Sequence, residues 1–446
     1  VRTRVGKHAR TRRNSFSDRV WSGSNRRGYV ANRISGDKIR SIVLYALGPA
    51  LGILSGPILA RAMGPDGRGQ FASIMQPITI ASAIASIGIP SAIAVYIARG
   101  NSPRRCYQIG LTTAMLPTII IVVAMVFYGR VVSERQNIPY ATILLCWTAI
   151  VLSVVVQIRR GAWQGVGRWR LLDVERGGAA VARFVFVLIV ALLGLRSAES
   201  FAAGALLSFV LVSCMLFIPL PKSNGSASPA TGDFARFSIL ASVGTIATIA
   251  SSRLDQLLMP IATDASQLGF YAVAVTVAEV PLIFGTLAAR NALQLSAAGK
   301  NLRTIARESS MFFWAGSISA VVILLCADWI VPIVFGDDFQ QSVLAIKLLA
   351  LGSIFTWVML VTSAVISGRG RPGLGSAIAL SSLLFTIVAF LIFWTAMSST
   401  TAAAIALASS IVAATLGVVL TARVRAVPRP DESTSTVDKI LPGQAT

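Results

Sequence analysis

Runs of about twenty apolar residues recur between positions 39 and 422, each long enough to cross a hydrocarbon layer of about 30 Å as a helix. Such a layer offers no water, so the backbone of each run must satisfy its own hydrogen bonds, and a continuous helix does so. Twelve runs are read, at 39–60, 71–98, 107–128, 140–158, 171–195, 201–220, 237–261, 269–294, 311–335, 343–367, 374–397 and 401–422. The short alternating segments of a transmembrane β-barrel are not the pattern. Only 13% of residues are charged, against about 25% in soluble domains, and mean hydropathy is +0.72. The chain reads as an all-α polytopic membrane protein with about 12 transmembrane helices.

Charge orders these runs across the membrane. The net charge of +22 lies largely ahead of position 39 and in alternate loops. One set of loops carries Arg99, Arg104 and Arg105; Arg159, Arg160, Arg168 and Arg170; Lys222 and Arg236; Lys300, Arg303 and Arg307; then Arg369 and Arg371. The other set holds Arg61, Arg68, Arg130, Arg135 and Arg196, and after the midpoint mainly Asp264, Asp337 and Asp338. Cytoplasmic loops collect Lys and Arg, so an even number of spans with both termini cytoplasmic fits a cytoplasmic (inner or plasma) membrane. Charge of this origin reports topology, and no nucleic-acid partner is expected. Residues 1–38 read as a basic, disordered cytoplasmic tail that fixes topology or tethers to anionic lipids. A signal peptide is not expected, because Ala60-Arg61-Ala62 follows too long a polar region and a core broken by Gly and Pro.

The Ser/Pro/Gly-rich stretch near the middle divides the chain. Residues 39–220 form one six-helix unit, 221–236 a cytoplasmic linker, 237–422 a second unit and 423–446 a disordered tail. Six is even, so both units start from the same side, as parallel repeats about an axis along the membrane normal. A local match supports this. The first run carries Gly48, Gly52 and Gly56 on one helix face, where a neighbouring backbone can come close, and Pro49 and Pro57, which should bend it. The stretch Gly64-Pro65-Asp66-Gly67-Arg68-Gly69 reads as a turn closing that helix. Arg68-Gly69-Gln70-Phe71 is answered two hundred positions later by Leu268-Gly269-Phe270-Tyr271. Pro77 and Pro90 interrupt the second run, and Pro260, Pro281 and Pro332 punctuate the second half. Such breaks suit helices that bend during transport, or are static kinks.

Ionisable side chains inside the runs are the functional leads, since charge in hydrocarbon is costly and usually faces a cavity. They are Arg253 and Asp255, two apart and so facing different ways, Glu279 and Arg290, and Arg183 behind the group Asp173, Glu175 and Arg176. Lys347 and Arg290 lie near enough to span ends to snorkel, and Asp173, Glu175 and Arg176 fit an interfacial charge cluster. Other chemistry is excluded or unsupported. His8 is the single histidine and lies in the tail. Cys106, Cys146, Cys214 and Cys326 are scattered without metal-ligand spacing. No phosphate-binding G-x-x-x-x-G-K-[ST] loop is present, and no loop is large enough for a catalytic domain. A transporter is expected rather than an enzyme, with no cofactor beyond a coupling proton or sodium ion.

The segments 59–72 (LARAMGPDGRGQFA), 84–100 (IASIGIPSAIAVYIARG), 253–274 (RLDQLLMPIATDASQLGFYAVA) and 334–342 (VFGDDFQQS) resemble the polysaccharide flippase branch of the multidrug/oligosaccharidyl-lipid/polysaccharide exporter superfamily. The resemblance spans the chain between its tails. It implies two six-helix lobes forming a V around a central cavity that opens alternately to each side. It also implies a polyprenyl-diphosphate-linked oligosaccharide or polysaccharide repeat unit as cargo, with the polymerase and glycosyltransferases of the same pathway as partners. On that reading Arg183, Arg253 and Arg290 would hold the diphosphate or acidic sugars, while Asp255 and Glu279 orient them or bind the coupling ion. Gly48, Gly52, Gly56, Gly69, Gly269, Pro77 and Pro90 would serve conformational change. The superfamily's lipid II branch ranks lower, because the first run is nearly uncharged up to Arg61. The rival readings are a cation-coupled multidrug antiporter of the same superfamily, which needs an acid-dominated cavity, and a non-transporting scaffold for wall synthesis.

Overall fold

The computed structural model describes residues 27–86, 88–221 and 230–424. The expected extreme N-terminal tail, the middle of the linker and the C-terminal tail lie outside the described residues. Among the described residues the regular elements are all helical. They run as α1 (Arg27–Ala85), α2 (Ile89–Ala98), α3 (Pro103–Gln136), α4 (Tyr140–Trp147), α5 (Ala149–Val166), α6 (Trp169–Leu192), α7 (Ala198–Ser213), α8 (Thr231–Ala262), α9 (Ala265–Ala297), α10 (Leu302–Phe335), α11 (Val343–Gly368), α12 (Pro372–Ile392) and α13 (Ser399–Arg423).

Among the described residues eight helices are long and apolar enough to cross a membrane, or nine if the later part of α1 and α2 count as one bent span. The others are explained by their sequence. Helix α6 carries Asp173, Glu175, Arg176 and Arg183, and α8 carries Arg253 and Asp255, which lower their hydropathy. Helix α1 holds two of the expected runs end to end. Each of the twelve runs thus coincides with helix. Helix starts follow local chemistry: Asp264 accepts from the Gln267 N–H at 2.8 Å, Asn301 from Thr304 N–H at 2.8 Å and Ser398 from Thr401 N–H at 3.1 Å. Proline opens α2, α3 and α12, where its missing N–H costs nothing.

Four expectations about α1 are corrected. The basic segment is helical from Arg27, not disordered throughout; the apolar run behind it supplies the nucleus, and each further residue adds at little cost. The turn after the first run is one residue, not six. Gly64 alone leaves helical dihedrals, with φ 68° and ψ −177°, and Pro65 already begins the next helix. Helical dihedrals also continue through Pro49, Pro57 and Pro77. The second run breaks instead between the end of α1 at Ala85 and the start of α2 at Ile89, ahead of Pro90, where the flanking helices are bent by 46°. Finally, Gly48 and Gly52 meet nothing within 4 Å, so the close approach expected there is not made; Gly56 meets only the Thr276 and Phe335 side chains.

The backbone approach occurs at Gly69 and Gly269. A Cβ on Gly69 would collide with the Ala265 carbonyl, and one on Gly269 with the Pro65 carbonyl. Each glycine lies four residues after the backbone that its mate strikes, so the contact is reciprocal under an offset of two hundred. This is the signature of a two-fold axis between the halves. Neighbouring contacts obey the same symmetry. Arg61, ending the first span, donates to the Val334 carbonyl at 3.0 Å and to Ile333 at the end of α10. Gln136, ending α3, donates to Pro260 and Thr263 at the end of α8, at 2.7 and 2.9 Å. In both cases one lobe's side chain satisfies the orphan carbonyls that end a helix of the other. Ser266 also donates to Asp66 across the seam.

Each lobe has its own core. Phe71, Ile74, Val132, Ile143, Trp147 and Phe201 pack in the first; Tyr271, Val331, Phe339, Ile346, Phe390 and Ile405 in the second. The lobes meet at the seam and diverge as a V. Helix α8 also begins on the first lobe: Phe234 is fully buried there, with its ring 5.5 Å from that of Tyr96.

Candidate functional site

Below the seam, charged side chains from both lobes converge. Glu279 on α9 forms an ion pair with Arg253 on α8 at 3.0 Å. Arg68, one residue before the seam glycine, is buried; it donates to Thr276 at 3.2 Å, while its Nε has no partner among the described residues. Arg183 on α6 is exposed. Arg68 lies within Coulombic range of both Arg183 and Glu279, and Arg183 within range of Glu279. Asp255 accepts from the Tyr271 hydroxyl and, at 2.9 Å, from the Gln256 N–H, and sits within range of Arg253.

The energetics argue against a purely structural role. Arg253 and Glu279 are 40% and 36% exposed, and a pair that open contributes only ~0–1 kcal/mol to stability. One guanidinium pairs with the Glu279 carboxylate and two more lie within Coulombic range of it, while the Asp255 carboxylate is already hydrogen-bonded by the buried Tyr271 phenol. The cluster therefore carries excess positive charge and suits an anion, above all one that accepts planar, paired N–H donors.

Of the expected site residues Arg253 and Glu279 pair directly, with Arg183 within Coulombic range of Glu279 and Asp255 within range of Arg253. Arg290 lies three turns beyond Glu279 on α9, about 16 Å along the helix, and does not join them. Pro90 opens α2, with Gly161 packed on its backbone so closely that a Cβ would lie 2.6 Å from the Pro90 Cα. Two residues were missed by sequence reasoning. Arg68 reads as a loop charge, although its repeat mate is Leu268, a buried apolar position, and that mismatch is the signal. Tyr271, read only as a repeat match, holds Asp255.

Three other charges have partners of their own. Glu175 is fully buried and accepts both Nε and Nη2 of Arg160, at 3.0 and 2.6 Å, tying α6 to α5. Arg159 is buried rather than in a loop. It donates to the Leu216 and Ile218 carbonyls at 2.9 and 2.7 Å and stacks over Tyr107, 4.7 Å from the ring centre. Lys347 does not simply snorkel; it pairs with Asp328 of α10 at 2.6 Å.

A family model described as polysaccharide biosynthesis protein matches residues 38–293. No curated protein matches the chain. Among solved structures, the lipid II flippase MurJ in an inward closed conformation is similar, with TM-score 0.69 at 12% identity over 86% of this chain and 87% of that one. An inward-facing multidrug resistance MATE family transporter of the MOP superfamily matches with TM-score 0.68 at 15% identity, over 86% of this chain and 97% of that one. A MOP superfamily transporter from Pyrococcus furiosus, described as having a binding pocket of reverse polarity, matches with TM-score 0.55 at 15% identity, over 86% and 93%. At these identities the likeness shows the fold.

Proposed function

The chain belongs to the polysaccharide biosynthesis protein family, and from that premise we propose that it flips a lipid-linked glycan across the cytoplasmic membrane by alternating access. The cargo would be an oligosaccharide or polysaccharide repeat unit on polyprenyl diphosphate, destined for surface or wall polysaccharide, and no covalent chemistry would be required. One observation carries this reading: Arg253 pairs with Glu279 at 3.0 Å, with Arg68 and Arg183 of the other lobe within Coulombic range of the same carboxylate. A diphosphate presents two adjacent anionic centres, which guanidinium groups from both lobes can share. Glu279 would hold Arg253 in place until the anion arrives. Asp255, hydrogen-bonded to Tyr271 beside the seam, is the proposed site of a coupling proton or sodium ion. The seam would be the outer gate, with both termini cytoplasmic.

A drug antiporter would take a lipophilic cation, which this charge balance repels. A scaffold would have no need of a partly exposed ion pair within Coulombic range of the other lobe's arginines. The test is extraction of lipid-linked glycans from cells depleted of the protein. The expected result is accumulation of a polyprenyl-diphosphate glycan shielded from external reagents, reversed by the wild type but not by Arg68→Gln or Arg253→Gln at equal abundance. An unchanged lipid pool at full depletion, with surface polysaccharide intact, would overturn the reading.

A further inference from the structure

The second lobe contains a separate cavity of about 500 Å³ at the seam end of the bundle. It lies where four helix ends meet: the start of α9 (Gln267), the last turns of α10 (Asp328), the turn leading into α11 (Gln340, Gln341) with the first turns of α11 itself (Lys347), and the start of α13 (Ser398–Thr400). That volume falls within the ~300–1,000 Å³ of ordinary small-molecule sites.

Its chemistry is specific in kind. Asp328 and Lys347 neutralise one another at 2.6 Å, so the cavity offers no net charge to an ion. Gln267 uses its carbonyl oxygen to accept from Ser399 N and Oγ, at 2.9 and 3.0 Å, which fixes that side chain and leaves its amide nitrogen as a donor. Gln340 and Gln341 are exposed, and their amides have no hydrogen-bonding partner among the described residues. Thr400 adds a hydroxyl, and Val343 and Leu344 supply an apolar edge. Donors and acceptors are thus interleaved around a neutral space. A phosphate would need unpaired cations, and a lipophilic cation would need unpaired acids or aromatic faces. A polyhydroxylated neutral molecule matches each wall.

We propose that this cavity is a carbohydrate-binding site that takes one or two neutral sugar residues, separate from the arginine cluster. It draws on the proposed function only in suggesting that the sugars belong to the glycan. The site can exist without flipping, and flipping can exist without the site.

The test uses the full chain purified in detergent and a panel of methyl glycosides: glucose, galactose, mannose, rhamnose, N-acetylglucosamine and N-acetylgalactosamine. Saturation-transfer NMR reads binding at millimolar concentrations. At least one glycoside should receive transfer. Its affinity should fall about tenfold in Gln341→Leu and in Thr400→Val, each of which removes one hydrogen-bonding group without touching a core. Arg253→Gln should leave it unchanged. Both pocket variants should keep the wild-type melting temperature, and Gln340→Leu serves if either does not. No transfer to any member of the panel would overturn the proposal. So would binding lost in Arg253→Gln but kept in the pocket variants, an outcome that would place the sugar in the central site and leave the flippase reading standing.

Discussion

Two ion pairs that look alike in the sequence differ at the scale of the residue. Arg160–Glu175 buries its carboxylate completely, and the guanidinium engages both oxygens. Arg253–Glu279 is more than a third exposed on each side. Removing Glu175 leaves Arg160 without its buried partner, a loss of about 2 kcal/mol once the 28% exposure of Arg160 is allowed for. Glu175→Ala should therefore lower the melting temperature in detergent and the membrane abundance, with transport falling only in proportion. Arg253→Gln should behave in the opposite way. Stability should change by less than ~1 kcal/mol, while transport per molecule falls at least about tenfold, the loss of one charge-assisted contact to cargo. Thermal unfolding and lipid-glycan accumulation, measured on the same preparations, separate the two. A large drop in stability for Arg253→Gln would make that pair structural and remove it from the site.

At the scale of the element, the glycines make the sharpest contrast. The sequence shows Gly48, Gly52, Gly56, Gly69 and Gly269 alike as small residues on apolar helices. Only Gly69 and Gly269 meet a partner's backbone. A methyl group there strikes a carbonyl that no rotamer change can move, so the helices must separate. Gly69→Ala and Gly269→Ala should each destabilise by about 1–3 kcal/mol, as overpacking does, and should expose the seam to thiol reagents at a cysteine placed at position 66. Gly52→Ala faces open space within a helix and should be neutral, or stabilising by up to ~1 kcal/mol. Equal melting temperatures for all three variants would contradict the seam. The same comparison shows what was legible in the sequence. Twelve helical runs and their order follow from apolar length alone, and the halves from charge and one glycine match. The contacts of a particular glycine or charge depend on lobe docking, which periodicity does not encode. Arg61 illustrates this: it reads as an outer-loop charge and in the structure ties the first span to α10. Arg159 reads as a cytoplasmic loop charge and is buried across two carbonyls.

For the whole molecule, the seam poses a mechanical question. Alternating access needs two arrangements of the lobes that exchange reversibly, so the contacts closing one end must be weak enough to break. The seam is built in that way. Besides the glycine crossing and apolar packing of Ala60 and Ala72 on the second lobe, it is held by side-chain hydrogen bonds: Arg61 to the Ile333 and Val334 carbonyls, Gln136 to those of Pro260 and Thr263, Tyr128 to that of Leu257, Arg68 to Thr276 and Ser266 to Asp66. Water can take over those carbonyls when the lobes part, at a net cost of about 1 kcal/mol per bond. A covalent link across the same point removes that option. With Cys214 and Cys326, the two native cysteines that are not buried, replaced by serine, Asp66→Cys with Ser266→Cys should oxidise readily, because the native side chains already touch. The cross-linked protein should stop transporting, with central-site binding retained from the open side, and reduction should restore transport. If the oxidised double variant transports at the wild-type rate, the seam is not a gate and rocking of the lobes about it is wrong. If neither single cysteine variant changes transport, the block belongs to the link and not to the loss of Asp66.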